Sequence, residues 1–212
     1  RPRSIDVGEV RARVFAILES EGKALAALNA ALFAGDLADS VGERLTRLRA
    51  ELAARITRSY CLAKGMAVAM NPVPVADLLA AAALDVALVV HLSKLYALPM
   101  SRAEASRLLA TVVAQLAALM GAIWGVHLVA SALKGMSAGL STALTAAAQG
   151  ALAWYATLLV ARSAERYLAQ GKSWGDKGPK RVVAEIVESL DRDSVLREAR
   201  EEILRRLRKR GE

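Results

Sequence analysis

The strongest constraint on this chain is the near absence of charge between residues 108 and 161. Leu108 to Leu133 is a run of 26 residues without Asp, Glu, Lys or Arg, and Gly135 to Ala161 is a second run of 27. Lys134 alone separates the two runs. A transmembrane helix needs about 20 consecutive apolar residues, so each run is long enough to cross a bilayer. The sequence therefore predicts a transmembrane hairpin, 108–133 and 135–161, with Lys134 at its water-exposed turn.

Charged residues are concentrated on both sides of this hairpin. Residues 1–64 hold 11 basic and 8 acidic side chains, residues 65–161 hold 4 and 3, and residues 162–212 hold 14 and 10. Basic residues that flank transmembrane helices stay in the cytoplasm, so both arms are predicted to be cytoplasmic. The net charge of +8 favours an anionic partner, and a lipid bilayer is the expected one.

The remaining sequence predicts amphipathic helices. An apolar stripe with helical spacing runs from Val7 to Leu32, and a second runs from Leu45 to Tyr60. The segment AGDLADS between them predicts a turn, so residues 1–64 should form an antiparallel helical hairpin. The Asn-Pro-Val-Pro-Val segment at 71–75 should start a new helix, and Ser101 with Glu104 has the spacing of a capping box.

No segment alternates as a β-strand does, so the predicted fold is all-α: a membrane-associated helical bundle with a hydrophobic hairpin and charged amphipathic arms. Three regions are expected. They are the hairpin arm (1–64), the apolar membrane-associated helices (65–161), and a basic loop with a C-terminal amphipathic helix that breaks near 191–194 (162–212).

Two GxxxG motifs support helix packing within lipid, where small residues let helix backbones approach closely. The motifs are Gly121 with Gly125, and Gly135 with Gly139. The second charge-free run also contains six Ser, Thr and Gln side chains and many alanines. This composition leaves open a soluble bundle in which the run is the buried centre.

Asp77, Asp85 and His91 are ionisable residues in or beside an apolar helix. Inside a membrane such residues suggest a functional site. The alternative is that Asp77 stabilises a helix start and that Asp85 pairs with an arginine of a neighbouring helix. Neither His91 nor His127 has a second ligand nearby in sequence, so no metal site is predicted. Cys61 is the single cysteine, which excludes an intramolecular disulfide.

Motifs for nucleotide binding and hydrolysis are missing from these residues: there is no GxxxxGK[ST], GxSxG or HExxH. We therefore expect neither catalysis nor a cofactor in this chain. The basic C-terminal run is either a solvated helix end or a contact for anionic lipid. Nucleic acid is not expected, because aromatic residues are absent there and acidic residues flank the run. The run comprises Arg205, Arg206, Arg208, Lys209 and Arg210.

Two segments carry a resemblance to a known family: NPVPVADLLAAAALDVALVVHLSKLYALP (71–99) and YLAQGKSWGDKGPK (167–180). Here the chain resembles domain-of-unknown-function family 697, which includes YcjF-like inner-membrane proteins. It is most similar to the region that follows an Era-like GTPase domain in certain cyanobacterial proteins. The resemblance implies an upstream GTPase domain and a membrane module that places it at a bilayer.

These observations predict a non-catalytic membrane-anchoring and transmission domain of a GTPase-linked bacterial protein, at the inner or thylakoid membrane. Expected partners are the lipid bilayer, an upstream GTPase domain or GTPase partner, and other membrane proteins or further copies of this chain. Two alternatives stay open. One is a structural subunit of a multi-protein membrane complex, and the other is a soluble helical bundle that inserts conditionally.

Overall fold

A computed structural model describes the backbone of residues 6–70, 76–134 and 142–211, and the side chains of 6–70, 81–119 and 146–209. Within these ranges the chain forms six helices and no strand, which confirms the all-α prediction. The helices are α1 (Gly8–Met70), α2 (Ala76–Leu95), α3 (Arg102–Lys134), α4 (Thr142–Ala169), α5 (Gly178–Ser189) and α6 (Arg192–Gly211).

The turn predicted over AGDLADS is wrong, because α1 is one continuous helix of 63 residues. A glycine inside a helix costs only about 1 kcal/mol relative to alanine, and no proline occurs between residues 8 and 70. Alanine and leucine on both sides of Gly35 favour continued helix. Gly35 and its polar neighbours therefore interrupt the apolar pattern without ending the helix.

The chain divides into two compact units, Arg1–Leu48 and Arg49–Glu212. The described part of the first unit is helical from Gly8, and its apolar side chains are largely exposed. The second unit contains the hydrophobic core, to which the end of α1 and helices α2, α3 and α4 contribute. Its largest fully buried side chains include Leu88, Leu92, Val112, Leu159 and Leu168. Each buried leucine contributes roughly 1.5–3 kcal/mol to folding.

Local signals at the helix ends are confirmed. The Glu104 carboxylate accepts a hydrogen bond from the Ser101 amide at 2.7 Å, and the Ser101 hydroxyl accepts one from the Glu104 amide at 3.2 Å. This reciprocal pair is the predicted capping box. The predicted break near 191–194 separates α5 from α6, and the Asp191 carboxylate accepts a hydrogen bond from the Ser194 amide there.

The Trp-Gly-x-x-Gly-Pro-Lys loop joins α4 to α5 and packs on the core. The Trp174 ring lies 5.1 Å from the Tyr167 ring, centroid to centroid. Nearby, the Lys172 ammonium donates a hydrogen bond to the Pro99 carbonyl at 2.9 Å, so this loop contacts the turn between α2 and α3. The two segments that carry the family resemblance therefore meet in space.

The described half of the second predicted span, residues 146–161, lies in a protein interior. Ala151, Trp154, Leu159 and Val160 are buried, and α4 packs most extensively against the charged helix α6. A cavity between these helices is lined by Ala148 and Leu152 together with Arg197, Arg200 and Glu201. The described part of this predicted span therefore packs against a charged helix, while some of its side chains, such as Leu152, stay exposed.

Among the described residues, one helix is long and apolar enough to cross a membrane, α1 near the N-terminus. None of its most apolar window is buried. The turn predicted after Lys134 falls on residues that lie outside the described ranges, 135–141.

Candidate functional site

The most distinctive polar feature of the core is a buried ion pair between α1 and α2. The Lys64 ammonium lies 2.5 Å from one carboxylate oxygen of Asp85, and the two side chains are 10% and 9% exposed. The Thr157 hydroxyl of α4 donates a hydrogen bond to the other carboxylate oxygen at 2.9 Å. The buried carboxylate thus has a partner at each oxygen, which offsets the cost of removing it from water.

The neighbouring backbone explains how three helices meet at this point. Gly65 follows Lys64 on α1 and faces Gly150 on α4. A Cβ atom added at Gly150 would lie 2.5 Å from the Gly65 carbonyl oxygen and 3.0 Å from Cδ1 of Ile203. Only glycine at this crossing lets α1 approach α4 so closely. The close approach brings Lys64 to the depth of Asp85 and Thr157.

Cys61 lies one helical turn before Lys64 and is fully buried. Burial raises the pKa of its thiol to about 12, and the nearby Asp85 carboxylate acts in the same direction. The Lys64 ammonium opposes this shift only in part. Because the thiolate is the nucleophilic form, Cys61 at neutral pH is an inert thiol.

We expect Cys61 in the folded chain to react with a disulfide reagent such as DTNB roughly 100-fold more slowly than in denaturant at the same pH. Burial keeps the reagent away from the Cys61 sulfur, and the raised pKa keeps the sulfur protonated, so it attacks the disulfide poorly. Stopped-flow absorbance with and without guanidinium measures the ratio. Equal rates in the two conditions would contradict the burial of this residue.

A second carboxylate, that of Glu165, is partly buried further along α4. Burial raises the pKa of Glu165, and the Arg162 guanidinium, 3.3 Å from its carboxylate, partly opposes that shift. Both residues line a cavity of about 510 Å³, together with Tyr96, Arg166 and Glu185. Basic and acidic side chains alternate in this lining, so it does not select for a ligand of one charge.

Of the predicted ionisable residues whose side chains the structure describes, Asp85 alone lies in the buried network. Its partner is Lys64 rather than the expected arginine. His91 is exposed and contacts the edge of the Tyr60 ring, with the centroids 6.2 Å apart. The side chain of Asp77 lies outside the described set. So do the surroundings of the predicted packing glycines, Gly121, Gly125, Gly135 and Gly139.

Sequence reasoning missed Lys64, Thr157 and the Gly65–Gly150 crossing. One signal was present: Lys64 is the last charged residue before the charge-poor region, and Gly65 follows it directly. No local pattern indicates Thr157, which is 72 residues away from its partner.

The basic C-terminal run is only partly engaged in the fold. The guanidinium groups of Arg205 and Arg206 lie 3.0 and 3.1 Å from the Glu202 carboxylate. Arg208 and Lys209 are exposed, and the side chain of Arg210 is outside the described set. Among the residues that the structure describes, no group of three or more His, Cys, Asp or Glu side chains could hold a metal ion.

Comparison with known proteins gives one match. A family model described as a domain of unknown function, DUF697, matches residues 32–192. No curated protein and no solved structure matches the chain. The match includes the last part of the first unit, the buried Lys64–Asp85–Thr157 network and both segments that carry the resemblance. Because it extends over most of the sequence, the chain belongs to the DUF697 family.

Proposed function

We propose that this chain is a non-catalytic membrane-anchoring and transmission domain of a GTPase-linked bacterial protein. The observation that carries the proposal is the charge-poor sequence from 108 to 161, set between strongly charged helices. The resemblance alone supports three parts of this proposal: the GTPase linkage, the likeness to YcjF-like proteins and the cyanobacterial setting.

The lipid contact is assigned to residues 120–145. The flanking parts of α3 and α4 pack against other helices through buried residues such as Val112 and Leu159. Residues 120–145 contain one charged side chain, Lys134. Within this segment α3 contributes residues 120–134, which extend roughly 22 Å as helix, less than the 30 Å of a bilayer core. The proposal is therefore insertion from one side of the membrane.

Transmission would use the rigid crossing of α1, α2 and α4. The Lys64–Asp85–Thr157 contacts and the Gly65–Gly150 approach join these helices without exposed, flexible side chains. A displacement of α1 near Lys64 would therefore move α4, whose N-terminal part belongs to the lipid-contacting segment. A buried network whose members all have partners is suited to such coupling, since it resists independent movement of the helices.

A matched pair of α3 variants tests the lipid assignment. Leu128→Asp places a charge inside 120–145, and Val113→Asp places one at a position on the same helix that is 50% exposed. We expect Leu128→Asp to reduce the fraction of protein that floats with liposomes at least tenfold, because a carboxylate in hydrocarbon costs several kcal/mol. Val113→Asp should float as the unchanged chain does.

The liposomes contain phosphatidylglycerol and phosphatidylethanolamine, and circular dichroism checks that both variants stay helical. Equal flotation of Leu128→Asp and the unchanged chain would contradict the assignment. If Val113→Asp also lost flotation, the lipid contact would include the part of α3 around Val113, outside 120–145.

The burial of residues 146–161 against α6 favours a second candidate, a soluble bundle that inserts conditionally. That candidate predicts a chain that is monodisperse without detergent and floats only after a trigger such as acidic pH. Constitutive flotation at pH 7.5 would favour the permanent anchor.

A further inference from the structure

The described part of the first unit, residues 6–48, presents large apolar side chains to solvent along its length. All but Val7, which directly precedes the helix, lie on α1 at spacings of mostly three or four residues, and most are about half exposed or more. Exposed apolar surface of this extent on a folded protein normally contacts a partner. Its members between Val7 and Leu48 are Val7, Val10, Val14, Phe15, Ile17, Leu18, Leu25, Leu28, Leu32, Phe33, Leu37, Val41, Leu45 and Leu48.

These side chains form two sets on different faces of the helix. Set one is the stripe from Val7 to Leu32, and set two runs from Phe33 to Leu48. At about 100° per residue, the two sets are rotated by roughly 160° around the helix axis. Each set also contains one charged residue. Glu21 lies within set one and Arg44 lies within set two, and both are exposed.

A lipid bilayer is a poor partner for these sets. A membrane span of about 20 residues in this part of α1, residues 8–48, would include charged side chains, because its longest charge-free run, 24–35, has 12 residues. The same stretch has five basic and six acidic side chains. A helix that lies on an anionic membrane surface is instead rich in Lys and Arg on its polar face.

The two sets also cannot cover each other within one chain. Because α1 is continuous through residues 33–41, Leu18 and Leu48 are separated by about 45 Å along the helix axis. The two sets of one copy therefore do not pair with each other, whereas a second copy supplies a matching partner for each set.

We propose that the first units of two copies of this chain pair antiparallel, with the part of set one from Leu18 to Leu32 in each copy packed on set two of the other. One register places Leu18 opposite Leu48 of the second copy and Leu25 opposite Val41. The same register brings Glu21 next to Arg44, so the charges embedded in the two sets neutralise each other. Twofold symmetry then repeats every contact.

Disulfide trapping in the full chain tests the proposal. The variant Leu18→Cys/Leu48→Cys, in a Cys61→Ala background, should form a covalent dimer when oxidised. Each single variant should form far less, because residue 18 meets residue 48 and not itself. Ser20→Cys/Thr46→Cys is the matched control, since these exposed positions lie at the same level but face away from the two sets. It should stay monomeric on a non-reducing gel.

Three results would overturn the proposal. Dimers of the single variant Leu18→Cys at equal yield would indicate parallel pairing. A monomer with an internal disulfide would indicate a hairpin within one chain. Absence of any cross-link between 18 and 48, with helicity unchanged, would exclude this register of pairing.

Charge reversal gives an independent measurement. Glu21→Arg or Arg44→Glu alone should weaken the dimer, measured by sedimentation of the chain in mild detergent, by roughly tenfold, because each change creates two repulsive pairs. The double variant should return to within about twofold of the unchanged chain. A double variant no tighter than either single variant would refute the Glu21–Arg44 contact. None of these changes lies in 120–145, so liposome flotation should be unaffected.

Discussion

Replacement of Asp85 by alanine should lower the free energy of unfolding of the second unit by about 3–5 kcal/mol. The change leaves the Lys64 ammonium buried without a counter-charge, and the Thr157 hydroxyl loses its acceptor. Removing one member of a buried ion pair is far more damaging than removing both, since the remaining charge keeps its full desolvation cost. Urea titration followed by circular dichroism measures the loss.

The double variant Lys64→Met/Asp85→Leu provides the control. Both replacements are apolar and similar in size to the residues that they replace, so we expect stability within about 1–2 kcal/mol of the unchanged chain. If Asp85→Ala and the double variant were equally destabilised, the pair would contribute through packing alone. A loss below about 1 kcal/mol for Asp85→Ala would contradict the buried ion pair.

Replacement of Gly150 by alanine should also be strongly destabilising, by about 2–4 kcal/mol. Alanine is the better helix former, so helix propensity alone predicts a gain of about 1 kcal/mol. The steric effect has the opposite sign and is larger. The new Cβ atom would lie 2.5 Å from the Gly65 carbonyl oxygen and 3.2 Å from Cβ of Ala69, and neither neighbour is the end of a flexible side chain. The helices must therefore separate.

Gly42→Ala is the comparison for Gly150→Ala. Gly42 lies inside α1, and no atom within 4 Å would meet a Cβ there. This variant should keep or raise helical stability, by up to about 1 kcal/mol, as propensity predicts. Thermal unfolding monitored at 222 nm gives both values. A Gly150→Ala variant as stable as Gly42→Ala would show that α1 and α4 do not cross at glycine.

How much of this structure the sequence predicts depends on the range of the interactions involved. The start of α3 was predictable, because Ser101 and Glu104 interact across three residues and carry a local pattern. The break at Asp191 is local in the same way. The turn at Gly35 was predicted wrongly, because one glycine opposes helix formation by only about 1 kcal/mol while a long run of helix-forming neighbours favours it.

The buried site was only partly predictable for the opposite reason. Asp85 stood out as a charge in an apolar helix, but its partners are 21 and 72 residues away in the sequence. Nothing local selects Lys64 over the arginines on either side of it, and the choice depends on where Gly65 and Gly150 let the helices cross. The sequence also could not decide where residues 135–161 are buried. Lack of charge indicates burial, but it does not distinguish burial in lipid from burial against α6.

The most direct test of membrane anchoring is alkaline carbonate extraction of membranes from cells that express this chain alone. Two forms are compared: the unchanged chain and a form in which Leu128 and Val129 are both replaced by aspartate. We predict that the unchanged chain stays in the membrane pellet and that the doubly charged form moves to the supernatant. Recovery of the unchanged chain in the supernatant would contradict the anchor. The charge-poor residues of α3 and α4 would then belong to the interior of a water-soluble bundle.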